Sequence, residues 1–150
     1  MKTVVQRVAR ASVTVDGCVV GSIGLGALLL VGVEDGDTLA DADATAQKIS
    51  KMRFFPGDTP MDRSLVEVGG GCLVISQFTL AANIRKGNRP SFTRALHPEQ
   101  AEPLYQRVVE QLEDAGITTA TGSFGAHMDI ESVNEGPVTL LVETREGRIL

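Results

Sequence analysis

The sequence predicts a mixed α/β fold: a β-rich single domain with two helices packed on a sheet. Three observations carry this expectation. Two short apolar segments, GALLLVGV (Gly26 to Val33) and CLVISQFTL (Cys72 to Leu80), read as strands buried on both faces. Each is followed by a stretch with apolar residues at helical spacing. A strand hairpin precedes these two strand–helix units, and three strand-like segments follow them. At 150 residues the whole chain, 1–150, is expected to be one domain with its own core.

The elements follow in order. Ala11, Val13 and Val15 alternate with Ser12 and Thr14, and Asp16-Gly17 then predicts a tight type I′ turn into the returning strand CVVGSIG. The Gly-rich GSIGLG has no helix after it, so it reads as a turn between strands and not as a phosphate loop. The first helix begins at Thr38, which forms a capping box with Asp41, and presents Leu39, Ala42, Ala46, Ile49 and Met52 to the sheet. FFPGDTP ends it. A short strand is expected over Leu65 to Val68, then a turn at Gly69 to Gly71. AANIRKGNRPSFTRA reads as a polar loop. The second helix is expected over Glu99 to Ala115, with Leu104, Tyr105, Val108 and Leu112 inward and Gly116 as its stop. Pro103 predicts a late start or a kink, because it removes a helical hydrogen bond. ITTATGS, AHMDIESVN and VTLLVETR close the chain as three strands.

Composition narrows the function. Gln6, Arg7 and Arg10 interrupt the apolar N-terminus too early for a signal peptide, and no apolar run is long enough to span a bilayer. A cytoplasmic location without membrane association is the expectation. Cys18 and Cys72 read as a reduced, buried pair, and with His97 and His127 isolated no metal site or cofactor is expected. The net charge of −5 argues against a general nucleic-acid coat. Yet Val68 to Pro98 holds no Asp or Glu while it carries Arg85, Lys86, Arg89 and Arg94. On charge alone, a local phosphate-binding segment and a solvated loop are equally good readings.

Familiar hydrolase parts are missing. There is no G-x-S-x-G, neither histidine lies in a nucleophile motif, and the carboxylates fall mostly on helix faces and loops. Two odd places remain. In SQFTL a buried strand gains three hydrogen-bonding side chains, Ser76, Gln77 and Thr79, around Phe78. In NEGPVT, Gly136-Pro137 interrupts a run that otherwise alternates as a strand, although proline gives a ladder no N–H.

Together these two motifs resemble the signatures of the D-aminoacyl-tRNA deacylases, and the similarity extends through VQRVARASVTVDG and GNRPSFTRA over essentially the whole chain. The resemblance implies a cis Gly136-Pro137 bond whose carbonyls hold the substrate amine, and a homodimer in which each Gly-Pro reaches into the partner's pocket. It also implies that Arg7 supports the Gly-Pro loop, against the plain reading of an edge-strand arginine. Ser76, Gln77 and Phe78 would shape the adenosine and ester pocket at the 3′ end of aminoacyl-tRNA, with backbone N–H groups near Phe78 and Thr79 for the oxyanion. Thr79 with Gln77 is the catalytic candidate, as nucleophile or orienting group, while the alternative gives catalysis to the tRNA 2′-hydroxyl. The implied activity is hydrolysis of D-aminoacyl-tRNA, and possible cleavage of glycyl-tRNA follows because glycine has no side chain to exclude. Many family members carry Lys-Met-Asn where this chain has Pro60, Met61 and Asp62, an added negative charge. Two readings from other classes compete: a non-catalytic RNA-binding module using Arg85 to Arg94, and a purely structural dimerisation domain.

Overall fold

The computed structural model describes residues 1–150. Strands β1 (Lys2–Val15) and β2 (Cys18–Ile23) form the expected hairpin, with Asp16 and Gly17 both at positive φ as a type I′ turn requires. Strand β3 (Gly26–Gly32) leads into helix α1 (Leu39–Lys51), and a short pair, β4 (Arg53–Phe55) and β5 (Arg63–Ser64), follows. After a single turn of helix, α2 (Leu65–Val68), come β6 (Gly71–Ser76), a 3-10 turn over Phe78–Ala81, and helix α3 (Pro98–Asp114). Strands β7 (Thr119–Thr121), β8 (Asp129–Arg145) and β9 (Arg148–Ile149) end the chain.

One seven-stranded sheet holds the molecule, in the order β7-β6-β3-β1-β8-β9, with β2 paired to the distal half of β1. Strands β3, β6 and β7 are mutually parallel, and their connections carry α1 and α3. Both helices pack on one face over a cluster that includes Val5, Leu29, Ile49, Phe54, Val74 and Val108. The other face curls on itself around Val8, Val13, Leu28, Leu73 and Ile75. Two glycines permit these approaches: a methyl at Gly21 would lie 2.5 Å from the Thr121 carbonyl oxygen, and one at Gly26 only 1.9 Å from that of Gly71.

The helix ends obey their local chemistry. Thr38 and Asp41 form the predicted capping box, with Asp41 Oδ2 accepting from the Thr38 N–H at 2.9 Å. Helix α3 ends in a Schellman arrangement: the Gly116 N–H donates to Glu113 O, the Ile117 N–H to Leu112 O, and Ile117 and Leu112 are both buried.

Several expectations are corrected. Leu65 to Val68 is helical, not a strand, because Ser64 and Glu67 cap each other and Gly69 closes the turn in the left-handed conformation. CLVISQFTL does not stay extended to Leu80: β6 stops at Ser76, and the chain turns into the 3-10 segment. Phe54 and Phe55 belong to β4 rather than to the helix end, and Leu39 is exposed beside the cap. Pro103 does not delay the start of α3: the helix begins at Pro98, whose N1 position needs no N–H, and Pro103 lies within it. AHMDIESVN and VTLLVETR join as one strand, β8, running through Gly136-Pro137. Cys72 is buried but Cys18 is exposed, and both are free thiols. No helix is long and apolar enough to cross a membrane.

Gly26→Ala tests the close contact between β3 and β6. The three obstructing atoms, Gly71 O, N and C, are all backbone, so relief requires the strands to separate, and the variant should lose about 3 kcal/mol or more in urea unfolding.

Candidate active site

The carboxyl ends of the three parallel strands converge on one cavity of about 640 Å³. Val31 and Val33 reach it from β3, Ile75 and Ser76 from β6, and the segment Phe124–Met128 from the connection after β7. Ligand clefts form there because chains diverge where strands leave a sheet. The start of α3 covers one side through His97, Pro98, Ala101 and Tyr105. Tyr105 is anchored by donating its hydroxyl to Val74 O at 2.7 Å, and burial pushes its phenol up to about 12, so it stays a neutral donor.

Ser76, Gln77 and Phe78 all line this cavity, as expected. The Gln77 N–H donates to Val31 O at 2.7 Å, which is the last ladder bond before the chain leaves the sheet. The N–H groups of Phe78 and Thr79 then have no protein acceptor, as the first amides of a helical turn generally do not. Thr79 is exposed and outside the cavity lining, and its hydroxyl accepts from Gln77 Nε2 at 2.5 Å. No imidazole or carboxylate is bonded to it, so nothing acts as its base. Cys72, behind the strand, is fully buried, and burial pushes its thiol up to about 12. It is no nucleophile at neutral pH.

Gly32 was missed by the sequence reading. It ends β3, where a methyl group would come within 2.8 Å of Leu80 Cβ and 2.9 Å of Gln77 O. Its bare backbone lets the 3-10 turn fold over the strand end. The available signal was a glycine near the end of a buried apolar run. Phe92 and Phe124, which also line the cavity, gave no periodic signal because both lie in loops.

The second motif is built separately. In the pairing of β1 with β8, Gln6 opposes Thr139 and Val8 opposes Asn134, so Arg7 alone faces the four residues Glu135 to Val138. That excursion accommodates Gly-Pro within a strand: the proline sits where the ladder is already broken. The Gly136-Pro137 bond is cis, Gly136 has φ +131°, and both residues are exposed. Arg7 is buried beneath. Its Nε donates to Glu135 O at 3.1 Å and lies 2.5 Å from the Glu135 carboxylate, and Nη1 donates to Phe54 O at 2.8 Å. Asn134 closes the base, with Oδ1 accepting from the Val138 N–H and Nδ2 donating to Thr139 Oγ1.

Arg7, Gly136 and Pro137 do not line the cavity of their own chain, and β3 and β1 stand between β6 and β8. The two motifs are therefore not assembled into one site within a single copy. The basic loop from Arg85 to Arg94 is exposed and pinned at its base by paired backbone bonds between Asn83 and Ser91. His97 is the N-cap of α3 and His127 an exposed residue at the rim. The Asp62 carboxylate accepts from the Asp58 N–H at 2.9 Å in an exposed turn, so it is engaged within its own turn.

Gly32→Ala should displace the 3-10 turn without unfolding the chain. A loss of about 1–3 kcal/mol is expected, with amide NMR shifts at Gln77 to Ala81 larger than those at Glu135 to Val138.

Comparison with known proteins agrees with this architecture. The model of the D-Tyr-tRNA(Tyr) deacylase family matches residues 4–143. A D-aminoacyl-tRNA deacylase of Thermomicrobium roseum is 51% identical over 149 residues, covering 99% of this chain and 97% of that protein. One from Halalkalibacterium halodurans is 49% identical, covering 97% and 100%. Among solved structures, the c-Myc DNA unwinding element binding protein superposes with a TM-score of 0.90 at 38% identity, covering 97% of this chain and 99% of that one. A probable eukaryotic D-amino acid tRNA deacylase shares the fold, with a TM-score of 0.81 at 16% identity over 93% of this chain and 97% of its own. With the family match spanning almost its full length, this chain belongs to the D-Tyr-tRNA(Tyr) deacylase family.

Proposed function

We propose that this protein hydrolyses the ester of D-aminoacyl-tRNA, releasing the D-amino acid and free tRNA, and that it does so as a homodimer in the cytoplasm. The observation that carries this reading is the separation of its two motifs. A Gly-Pro excursion held by a buried arginine stands exposed, while the cavity lined by Ser76, Gln77 and Phe78 of the same chain lacks it. A second copy supplies the missing wall if its Gly136-Pro137 enters this cavity.

The chemistry then follows from geometry. The terminal adenosine occupies the apolar cavity, with its ester beside Gln77 and Phe78. Water adds to the carbonyl carbon, and the negative charge that develops on the carbonyl oxygen meets the unpaired N–H groups of Phe78 and Thr79. The carbon–oxygen bond to the ribose breaks, and the ribose oxygen takes a proton. Thr79 orients and does not attack, because its only partner is the Gln77 amide, which accepts no proton from it. In this reading the neighbouring ribose 2′-hydroxyl supplies the proton transfer. An aminoacyl ester is already activated, so positioning and charge stabilisation suffice.

Selectivity is by exclusion. With the amine held by backbone carbonyls of Gly136 and Pro137 and the ester held at the other motif, inversion at Cα exchanges hydrogen for side chain. The D side chain points outward and the L side chain meets the wall, whatever its identity. Glycine passes, having nothing to exclude.

Release of amino acid from matched D- and L-tyrosyl-tRNA tests the reading, with glycyl-tRNA alongside. A clash of about 3 kcal/mol corresponds to roughly a hundredfold, so D should be cleaved at least that much faster than L, with some cleavage of glycine. Equal rates for both enantiomers would replace the filter by a general esterase. No cleavage of any ester by folded protein would leave an RNA-binding module acting through Arg85 to Arg94.

Two variants separate the roles. Thr79→Ala should keep D-tyrosyl-tRNA cleavage within about tenfold, whereas loss beyond a thousandfold would make its hydroxyl the nucleophile. In Gly136→Ala the new methyl would sit 3.0 Å from Arg7 Nη2 and 2.9 Å from Val138 Cγ2 at a φ few side chains tolerate. Cleavage of the D ester should fall by about tenfold or more in single-turnover assays run below the melting transition, which the backbone strain of about 1–3 kcal/mol lowers by several degrees.

A further inference from the structure

Three of the five phenylalanines are wholly or largely enclosed, and the remaining two, Phe78 and Phe92, are 58% and 38% exposed. These two come from different segments and meet edge to face at the cavity, with centroids 5.1 Å apart and planes at 68°. A T-shaped pair leaves ring face uncovered on each partner. Apolar rings held in water at a cavity mouth are unfavourable unless something covers them.

The surroundings specify what covers them. Phe92 belongs to the loop whose tip carries Arg85, Lys86 and Arg89, and Arg94 follows it by two residues. From Val68 to Pro98 no acidic residue offsets these cations, in a chain whose net charge is −5. The one carboxylate that approaches, Glu34, is buried, lies 3.6 Å from Arg94 Nη2, and ties the base of the loop to the sheet beside the Asp35 N–H bond to Arg94 O. Loop and ring are thus held in place by backbone and ion-pair contacts on the protein side, and the tip stays free. Aromatic faces next to uncompensated cations suit a stacked base with its phosphate, the way single-stranded nucleic acid is held without a duplex.

We propose that Phe92, edge-on to Phe78, forms a lip that stacks the nucleotide immediately 5′ of the terminal adenosine, with the adjoining phosphate toward the Arg89–Arg94 segment. This rests on the reading of the cavity as the seat of the tRNA 3′ end, and adds a second nucleotide subsite to it. Its consequence is a preference for an intact single-stranded end over a free aminoacyl-adenosine, because the lip engages only when a preceding base is present.

The test compares adenosine with the dinucleotide cytidylyl-(3′,5′)-adenosine by NMR titration, using the ratio of the two affinities within each protein. The wild type should bind the dinucleotide about tenfold more tightly, the lower part of what stacking one base on a ring contributes. Phe92→Leu, which keeps an apolar side chain, should reduce the ratio to about twofold, and Phe92→Trp should restore it. A wild-type ratio near one, an unchanged ratio in Phe92→Leu, or binding of neither ligand by folded wild type would each overturn the proposal. Cleavage of D-tyrosyl-tRNA by the wild type is followed in parallel. Intact cleavage with a Phe92-independent ratio removes the lip alone. A Phe92-dependent ratio without cleavage removes the chemistry and leaves the lip standing.

Discussion

The guanidinium of Arg7 is the contact on which the second motif depends. Strand β8 must carry four residues opposite one, and such a bulge has no ladder bonds of its own to hold a shape. Arg7 supplies them from below, binding Glu135 through both carbonyl and carboxylate, and bracing against Phe54 O on the neighbouring β4. Its planar fork is suited to this because separate N–H groups leave in fixed directions, which a lysine ammonium cannot reproduce. A buried cation also demands partners, so the arginine and the excursion fix each other. Asn134 closes the loop at its base, and the exposed Gly136-Pro137 is held from beneath and from the side.

The first motif is set by a different device, the absence of side chains. Gly26 brings β3 against β6 at its start, and Gly32 lets the chain after β6 fold over the end of β3. Between these two close approaches, β6 runs straight and buried, then stops abruptly at Ser76. The stop leaves the N–H groups of Phe78 and Thr79 without acceptors, with Phe78 lining the cavity and Thr79 next to it in the chain. Unpaired donors at the edge of an apolar hollow are what a developing oxyanion needs, and they require no histidine or acid nearby. In the proposed reaction, such donors let a chain of the deacylase family act without any familiar nucleophile arrangement.

The two devices are placed on different strands with two others between them. In the proposed dimer this separation becomes useful: each copy brings a finished backbone wall to a cavity finished elsewhere, and neither has to form during folding of the other. The loop that carries Phe92 and the basic residues joins the first motif to α3, so the proposed nucleotide lip and the proposed site of chemistry share one segment.

Much of the fold was legible in the residues. Asp16-Gly17 needed only positive φ at two adjacent positions, Thr38 and Asp41 only each other, and Gly116 only the helix it ends, so local chemistry determined them. The buried runs gave β3 and β6 for the same reason, since uniform branched apolar residues suit only a covered strand. Leu65 to Val68 misled because four apolar and acidic residues carry no usable period, and the deciding caps lay one residue outside. The two motifs, and the family resemblance they carry, were also in the sequence. Tertiary structure decided the rest: that Arg7 is buried and faces four residues, that Gly32 is a contact, that Phe78 meets Phe92 across fourteen positions of chain, and that the motifs of one copy do not meet. Each of these depends on which strands become neighbours, and pairing between distant segments leaves no local pattern to read.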